Sequence, residues 1–170
     1  MCEKNKERTG WRENVEEFLE LMKEKRVPLL ILSAGLGDVI DCLFEVWFGE
    51  KYEDIMYTIS NFLLFDEETG IAKLFKGDTI HIYNKKEVKV LESDFGKKFD
   101  IQQRRNVILV GDSEGDIHMA EGIDHDCVLK VGFLNKNSEE ALKHYSEIFD
   151  IVLVEDFTFN FINDILKELK

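Results

Sequence analysis

NVILVGDSEGDIHMAEG, Asn106 to Gly122, decides how this chain is read. Four apolar residues, Val107 to Val110, run straight into Gly-Asp-Ser-Glu-Gly-Asp. A short apolar run stopped by glycine and polar residues reads as a buried strand ending at a turn. Asp112, Glu114 and Asp116 then crowd three carboxylates at the strand tip. Like charges repel, so the cluster needs open water or a cation. Gly115 permits a tight turn, and a helix is expected to begin near it with Asp116 at its start.

Outward from this stretch, short apolar runs alternate with amphipathic ones. Trp11 to Lys25 reads as a helix with Val15, Phe18, Leu19 and Met22 on one side, ended with the help of Pro28. Leu29 to Leu32 is a strand stopping at Ser33-Ala34-Gly35, and Val39 to Phe48 is the next helix. Asp54 to Phe65 holds one or two strands. Asp66 to Gly70 is a turn and Ile71 to Phe75 a hairpin arm. A helix is expected around Glu87 to Ser93. Strands follow at Cys127 to Val131 and Ile151 to Val154, with helices at Ser138 to Ser146, capped by Asn137 or Ser138, and at Thr158 to Leu169. Such alternation predicts an α/β fold: a Rossmann-like parallel sheet with helices on both faces, forming one domain over residues 1–170. Ligands of such sheets bind at the carboxyl ends of the strands, where both the Ser33 and the Asp112 loops fall.

The chemistry of these loops has two readings. Mg²⁺ takes oxygen ligands and keeps several waters, so one or two carboxylates and a substrate phosphate suffice. Asp112 fits a direct ligand, and Asp116 a second ligand or a holder of bound water. Alternatively, Asp116 caps a helix and Asp112 is a turn residue. In Ser33-Ala34-Gly35-Leu36-Gly37-Asp38, small residues let backbone N–H groups approach an oxyanion, and the helix that follows adds a favourable dipole. The same residues also suit an ordinary strand-to-helix turn. Lys85 and Lys86 offer a cation for a phosphoryl group or simply a solvated surface pair, and the residues alone do not choose between them. Asp124 and Asp126 precede their strand and read as a surface turn. His81, His118 and His144 sit in unrelated segments and are assigned to packing or solvent contact, and Phe44, Trp47 and Phe48 to the core.

Composition narrows the field. The 170 residues are 44% apolar, enough for a packed core. The net charge of −13 argues against binding a nucleic-acid polymer, while a small anion would need a cation, a lysine or exposed amides. No apolar run approaches membrane-spanning length, and MCEKNKERTG has no hydrophobic signal region, so a cytoplasmic chain without membrane contact is expected. Cys2, Cys42 and Cys127 show no CxxC spacing and are read as free thiols. Structural zinc is not expected.

Three motifs in order sharpen the picture: ILSAGLGDVI, IHIYNKKE and VILVGDSEGDIHMAEG. Together they resemble the later motifs of the haloacid dehalogenase-like phosphohydrolases. Within that superfamily the chain is most similar to the cytosolic pyrimidine 5'-nucleotidases, a group that includes 7-methylguanosine-phosphate-specific nucleotidases. ISNFLLFDEETGIAKLFKGDTIHIYNK, VLKVGFLN and FDIVLVED support this, and the resemblance runs from about Trp11 onward. It implies Ser33, with Ala34 and Gly35, as the phosphate-binding loop. It implies Lys85 as the catalytic lysine that contacts nucleophile and phosphate. It further implies Asp112 as the Mg²⁺ ligand and Asp116 as the second acid of the metal shell.

One departure is sharp. The family begins its reaction with an aspartate of a DxDxT motif after the first strand, which forms an aspartyl-phosphate. The sequence has no such motif. The resemblance is therefore to the C-terminal core of the family, with the first strand and most of the cap expected to be missing. The implied function is a Mg²⁺-dependent 5'-nucleotidase acting on a nucleoside 5'-monophosphate, inactive as this isolated chain. The alternatives are a noncatalytic phosphate-binding or subunit-interaction module that self-associates through an exposed sheet edge, and another haloacid dehalogenase-like phosphatase.

Overall fold

The computed structural model describes residues 10–81, 90–91 and 93–169. In chain order these form α1 (Val15–Glu24), β1 (Leu29–Leu36), α2 (Gly37–Phe48), β2 (Met56–Asn61), β3 (Leu63–Phe65), β4 (Ala72–Phe75), α3 (Asp94–Lys98), β5 (Asn106–Gly111), β6 (Cys127–Leu134), α4 (Glu139–Ile148), β7 (Ile151–Val154) and α5 (Asn160–Glu168). The class is α/β, as read from the sequence. The chain divides into two compact units, Met1–Thr79 with Phe157–Lys170, and Ile80–Asp156.

In the first unit, α1 buries Phe18, Leu19 and Met22, the i, i+1, i+4 stripe of its sequence. That stripe packs on α5, whose Ile162 and Leu166 are each 1% exposed. The helix begins at Val15, later than Trp11. Glu13 is drawn into backbone pairing instead: its N–H donates to the Phe157 carbonyl at 2.8 Å, and its carbonyl accepts from Phe159 N–H at 2.8 Å. Asn14 then turns the chain at φ 60°. The helix closes by donation from Val27 N–H to the Met22 carbonyl and from Arg26 N–H to the Lys23 carbonyl. Arg26 takes the left-handed conformation, φ 53°, usually left to glycine. Asn163 of α5 is fully buried and donates to the Asn14 carbonyl and to Glu17, each at 3.1 Å.

β1 and β2 pair in parallel, and α2 packs on both. β1 runs on past Leu32 to Leu36, with an irregularity. It advances from Leu32 to Leu36 while β2 advances only from Ile59 to Asn61, so Ser33, Ala34 and Gly35 bulge out of register. The α2 aromatics are half-buried rather than deep in the core. Phe44 meets Trp11 edge-on and Phe48 meets it at a tilt, with ring centroids 4.8 and 5.3 Å apart. Cys42 is disulfide-bonded, against the expectation of a free thiol, whereas Cys127 is free and exposed.

β3 and β4 form the expected hairpin, antiparallel, with Leu64, Phe65, Ile71, Leu74 and Phe75 exposed. Asp66 ties its turn. One carboxylate oxygen accepts from Thr69 N–H and Thr69 Oγ1, each at 2.8 Å, and the other pairs with Lys73. The Lys73 contact, then the Thr69 bonds, hold the Asp66 carboxyl down from its ordinary 3.8 to about 2. A depressed carboxylate stabilises the fold above its unfolded value and loses that contribution as pH falls through the folded one. The hairpin turn should therefore loosen between about pH 4 and pH 2. A carboxyl-detected NMR titration with an Asp66 midpoint near the ordinary value would contradict this.

The second unit is built on the parallel sheet β5-β6-β7, with Gly111 opposite Gly132 and Val131 opposite Ile151. β6 is the central strand, and Val131, Gly132, Phe133 and Leu134 are all buried. Ser138 caps α4, its hydroxyl accepting from Ala141 N–H at 3.1 Å, and α4 packs on β6 and β7. Gly132 makes room for Phe149: a Cβ there would stand 2.6 Å from the ring. The helix expected near Gly115 is a single 3₁₀ turn, Glu114–His118. The helix expected around Glu87 to Ser93 falls mostly outside the described residues; α3, capped by Ser93 accepting from Gly96 N–H, follows it.

Candidate functional site

β5 delivers Asp112 to its carboxyl end. Asp112 is exposed, and Asp116 is 4% exposed. Asp116 Oδ2 accepts from the N–H of Asp112 and of Ser113, each at 3.1 Å, and Ser113 returns the bond as a capping box. Charge-assisted bonds to two successive amides fix the loop around Asp116. Gly111 is what lets this carboxylate approach. A Cβ at Gly111 would stand 2.5 Å from Asp116 Cβ and 2.8 Å from its Oδ2.

Three other side chains fasten the same loop. Tyr145 of α4 donates its hydroxyl to the Asp112 carbonyl at 2.6 Å. Asn135, immediately after β6, places its Nδ2 3.3 Å from Asp112 Oδ2. His144 Nε2 lies 3.0 Å from Glu114 Oε2; the histidine is exposed, in keeping with solvent contact, and also touches the acidic loop. Burial, then the charges of Asp112, Asp116 and Glu114, raise the Tyr145 phenol above its ordinary value, which keeps it a proton donor.

The first unit carries the other loop. In the β1 bulge, Ser33 Oγ accepts from Gly35 N–H at 3.1 Å. β2 braces it from the side: Ser60 Oγ donates to the Gly35 carbonyl at 2.9 Å and Asn61 Nδ2 to the Ala34 carbonyl at 2.9 Å. α2 begins directly afterwards, its N-cap Leu36 offering no side-chain bond to the first amides. Asp38 in its first turn accepts from Leu63 N–H at 2.8 Å. Gly37 is buried under the Phe62 ring, 2.5 Å from where a Cβ would be.

Ser33, Ala34 and Gly35 thus share one bulge, and Asp112 and Asp116 share one turn. Lys85 lies outside the described residues. Asp126 pairs with Arg105 at 2.7 Å on the surface, in keeping with a surface turn. Sequence reading passed over Asn135, Tyr145, Ser60 and Asn61. Asn135 carried a signal, since it follows the β6 apolar run as Asp112 follows that of β5. The other three act across long stretches of chain and leave no local pattern.

The donors at the acidic loop are oxygens: an exposed carboxylate with a side-chain amide beside it. That set suits a hard divalent cation such as Mg²⁺. Among the described residues no group of three His, Cys, Asp or Glu side chains could hold a metal by itself. The described protein donors would hold Mg²⁺ only together with waters, substrate oxygens or further groups.

The fold has a counterpart in a solved protein. A crystal structure of cytosolic 5'-nucleotidase IIIB (cN-IIIB) bound to cytidine matches with TM-score 0.80 and 32% identity, over 92% of this chain and 51% of that one. The architecture is accordingly haloacid dehalogenase-like. The family model described as pyrimidine 5'-nucleotidase (UMPH-1) matches residues 3–170. This chain belongs to that family. The 7-methylguanosine phosphate-specific 5'-nucleotidase of Mus musculus is 35% identical over 159 residues, 93% of this chain and 51% of the mouse protein. The corresponding A protein of Xenopus laevis is 34% identical over 157 residues, 92% of this chain and 52% of its own. The chain therefore spans about half the length of the curated relatives it matches. Among the described residues no helix is long and apolar enough to cross a membrane.

Proposed function

We propose that this chain supplies the phosphate- and metal-holding part of a cytoplasmic, Mg²⁺-dependent 5'-nucleotidase acting on nucleoside 5'-monophosphates. The observation that carries the reading is the division of labour in the acidic loop. Asp116 is buried and bonded to the loop's own amides, which leaves Asp112 exposed at the strand tip with its backbone fixed. Asp112 would hold the cation directly, and Asp116 would hold Asp112. Mg²⁺ when bound would offset charge on the phosphoryl oxygens. Ser33, with the Ala34 and Gly35 backbone and the start of α2, would orient phosphoryl oxygens, and Lys85 would supply a charge to neutralise them. The family's attacking aspartate has no counterpart in the sequence, so these residues bind and orient without a nucleophile of their own.

Calorimetric titration of the chain with Mg²⁺ tests this. Binding should be present in the wild type and fall below detection in Asp112→Ala. Wild-type binding that survives the substitution unchanged would overturn the assignment. A second reading, a noncatalytic phosphate-binding or subunit-interaction module, is favoured by the half-buried state of β1. Parallel strands are normally covered on both faces, yet no residue of β1 is fully buried. Absence of Mg²⁺ binding, together with a stable dimer in sedimentation, would select that reading.

A further inference from the structure

We propose that Tyr145 is a positioning residue for Asp112, the means by which α4 sets the direction in which that carboxylate leaves the strand tip. The inference rests on the metal reading of Asp112 above and adds a residue to it. Its basis is geometric. The phenol donates to the main-chain carbonyl of Asp112 itself, at 2.6 Å, so it restrains the peptide plane that follows the ligand's own Cα. Asp116 restrains the peptide plane on the other side, through the Asp112 N–H, as well as the next amide. With both flanking planes held, the Cα–Cβ bond of Asp112 has a fixed heading while its carboxylate stays exposed.

The anchor behind Tyr145 is firm. Its ring lies 5.4 Å from that of Phe149 at 33°, and Phe149 is 5% exposed. Phe149 in turn rests on the backbone of Gly132, in the strand hydrogen-bonded to β5, where any side chain would collide with the ring. The line from β6 through Phe149 and Tyr145 to Asp112 is made of rigid groups with few rotatable bonds. Asn135 adds a contact from the end of β6, at 3.3 Å, to the carboxylate oxygen itself. Groups that orient a metal ligand without touching the metal typically change affinity tenfold or more when removed.

Tyr145→Phe keeps the ring and removes only the donor. In the metal-free chain, hydrogen exchange at the amides of Asp112 and Ser113 should accelerate about tenfold, with exchange in α1 and α5 unchanged. In the Mg²⁺ titration its dissociation constant should rise roughly tenfold, while Asn135→Ala gives a smaller rise, on the order of threefold. A merely structural role for the tyrosine would lower the thermal midpoint without moving the Mg²⁺ constant. Unchanged exchange at Asp112 and Ser113, or an unchanged Mg²⁺ constant beside a wild type that binds and an Asp112→Ala that does not, overturns the role of Tyr145 alone. No Mg²⁺ binding in the wild type overturns the metal reading and, with it, any role of Tyr145 toward a cation.

Discussion

The purified 170-residue chain is expected to release no phosphate from UMP, CMP or 7-methyl-GMP at any Mg²⁺ concentration. The reason lies in what its residues lack and keep. Phosphoryl transfer in this family starts with attack by an aspartate in DxDxT, and the single Asp-x-Asp, Asp124-His125-Asp126, lies on the surface ahead of β6, where Asp126 pairs with Arg105. Removing a nucleophile from an otherwise intact site costs on the order of 10⁶-fold in rate, enough to leave nothing measurable. Mg²⁺ and phosphate binding need no nucleophile and should persist. The decisive assay is malachite-green phosphate release with each substrate. Robust release that disappears in Asp112→Ala would refute the inactivity while supporting the site.

Gly111→Ala should be among the most damaging single-methyl additions in the described fold. The new Cβ would stand 2.5 Å from Asp116 Cβ and 3.0 Å from its Cγ, with no flexible chain end to yield. Asp116 must withdraw, and the Asp112 and Ser113 amides lose their acceptor. Overpacking of about 1–3 kcal/mol and the loss of charge-assisted bonds worth about 2 kcal/mol combine to roughly 3–5 kcal/mol. For a chain of this size that lowers the melting midpoint by about 6–20 °C. The cycle with Asp116→Gly, which removes the contacting Cβ as well as the carboxylate, isolates the cause. That change alone should cost about 3 kcal/mol, from the lost bonds and the freer backbone, and it relieves the clash, so the double variant should be no less stable than Asp116→Gly. Simple additivity of the two losses would show that Gly111 matters for another reason.

Much of this architecture was legible because burial leaves a mark on sequence. The runs Val107–Val110 and Ile151–Val154 are strands, and Ser138 is the cap of its helix. Asp112 was legible for the same reason: a charge directly after an apolar run and a glycine marks the strand tip. What was not legible depends on partners far along the chain. α1 starts late because Glu13 pairs with the segment before α5. The bulge at Ser33 exists because Ser60 and Asn61 reach its carbonyls, and neither residue announces that in its own neighbourhood. Tyr145 meets Asp112 only because parallel strands bring α4 back over β5's end. The sequence offers Asp116 as a second metal ligand, a holder of bound water or a helix cap; its grip on two amides is compatible with the cap and with an indirect part in any metal shell.

The bracing of the β1 bulge by Ser60 and Asn61 has a consequence for a chain of net charge −13. A carbonyl turned toward an approaching phosphate would meet it with lone pairs and push it away. Here the oxygens of Ala34 and Gly35 are each leashed from behind by a donor on β2, so neither is at liberty to swing outward. If this bulge receives a phosphate as proposed, two residues that never touch the anion would thereby set the sign of the surface it meets.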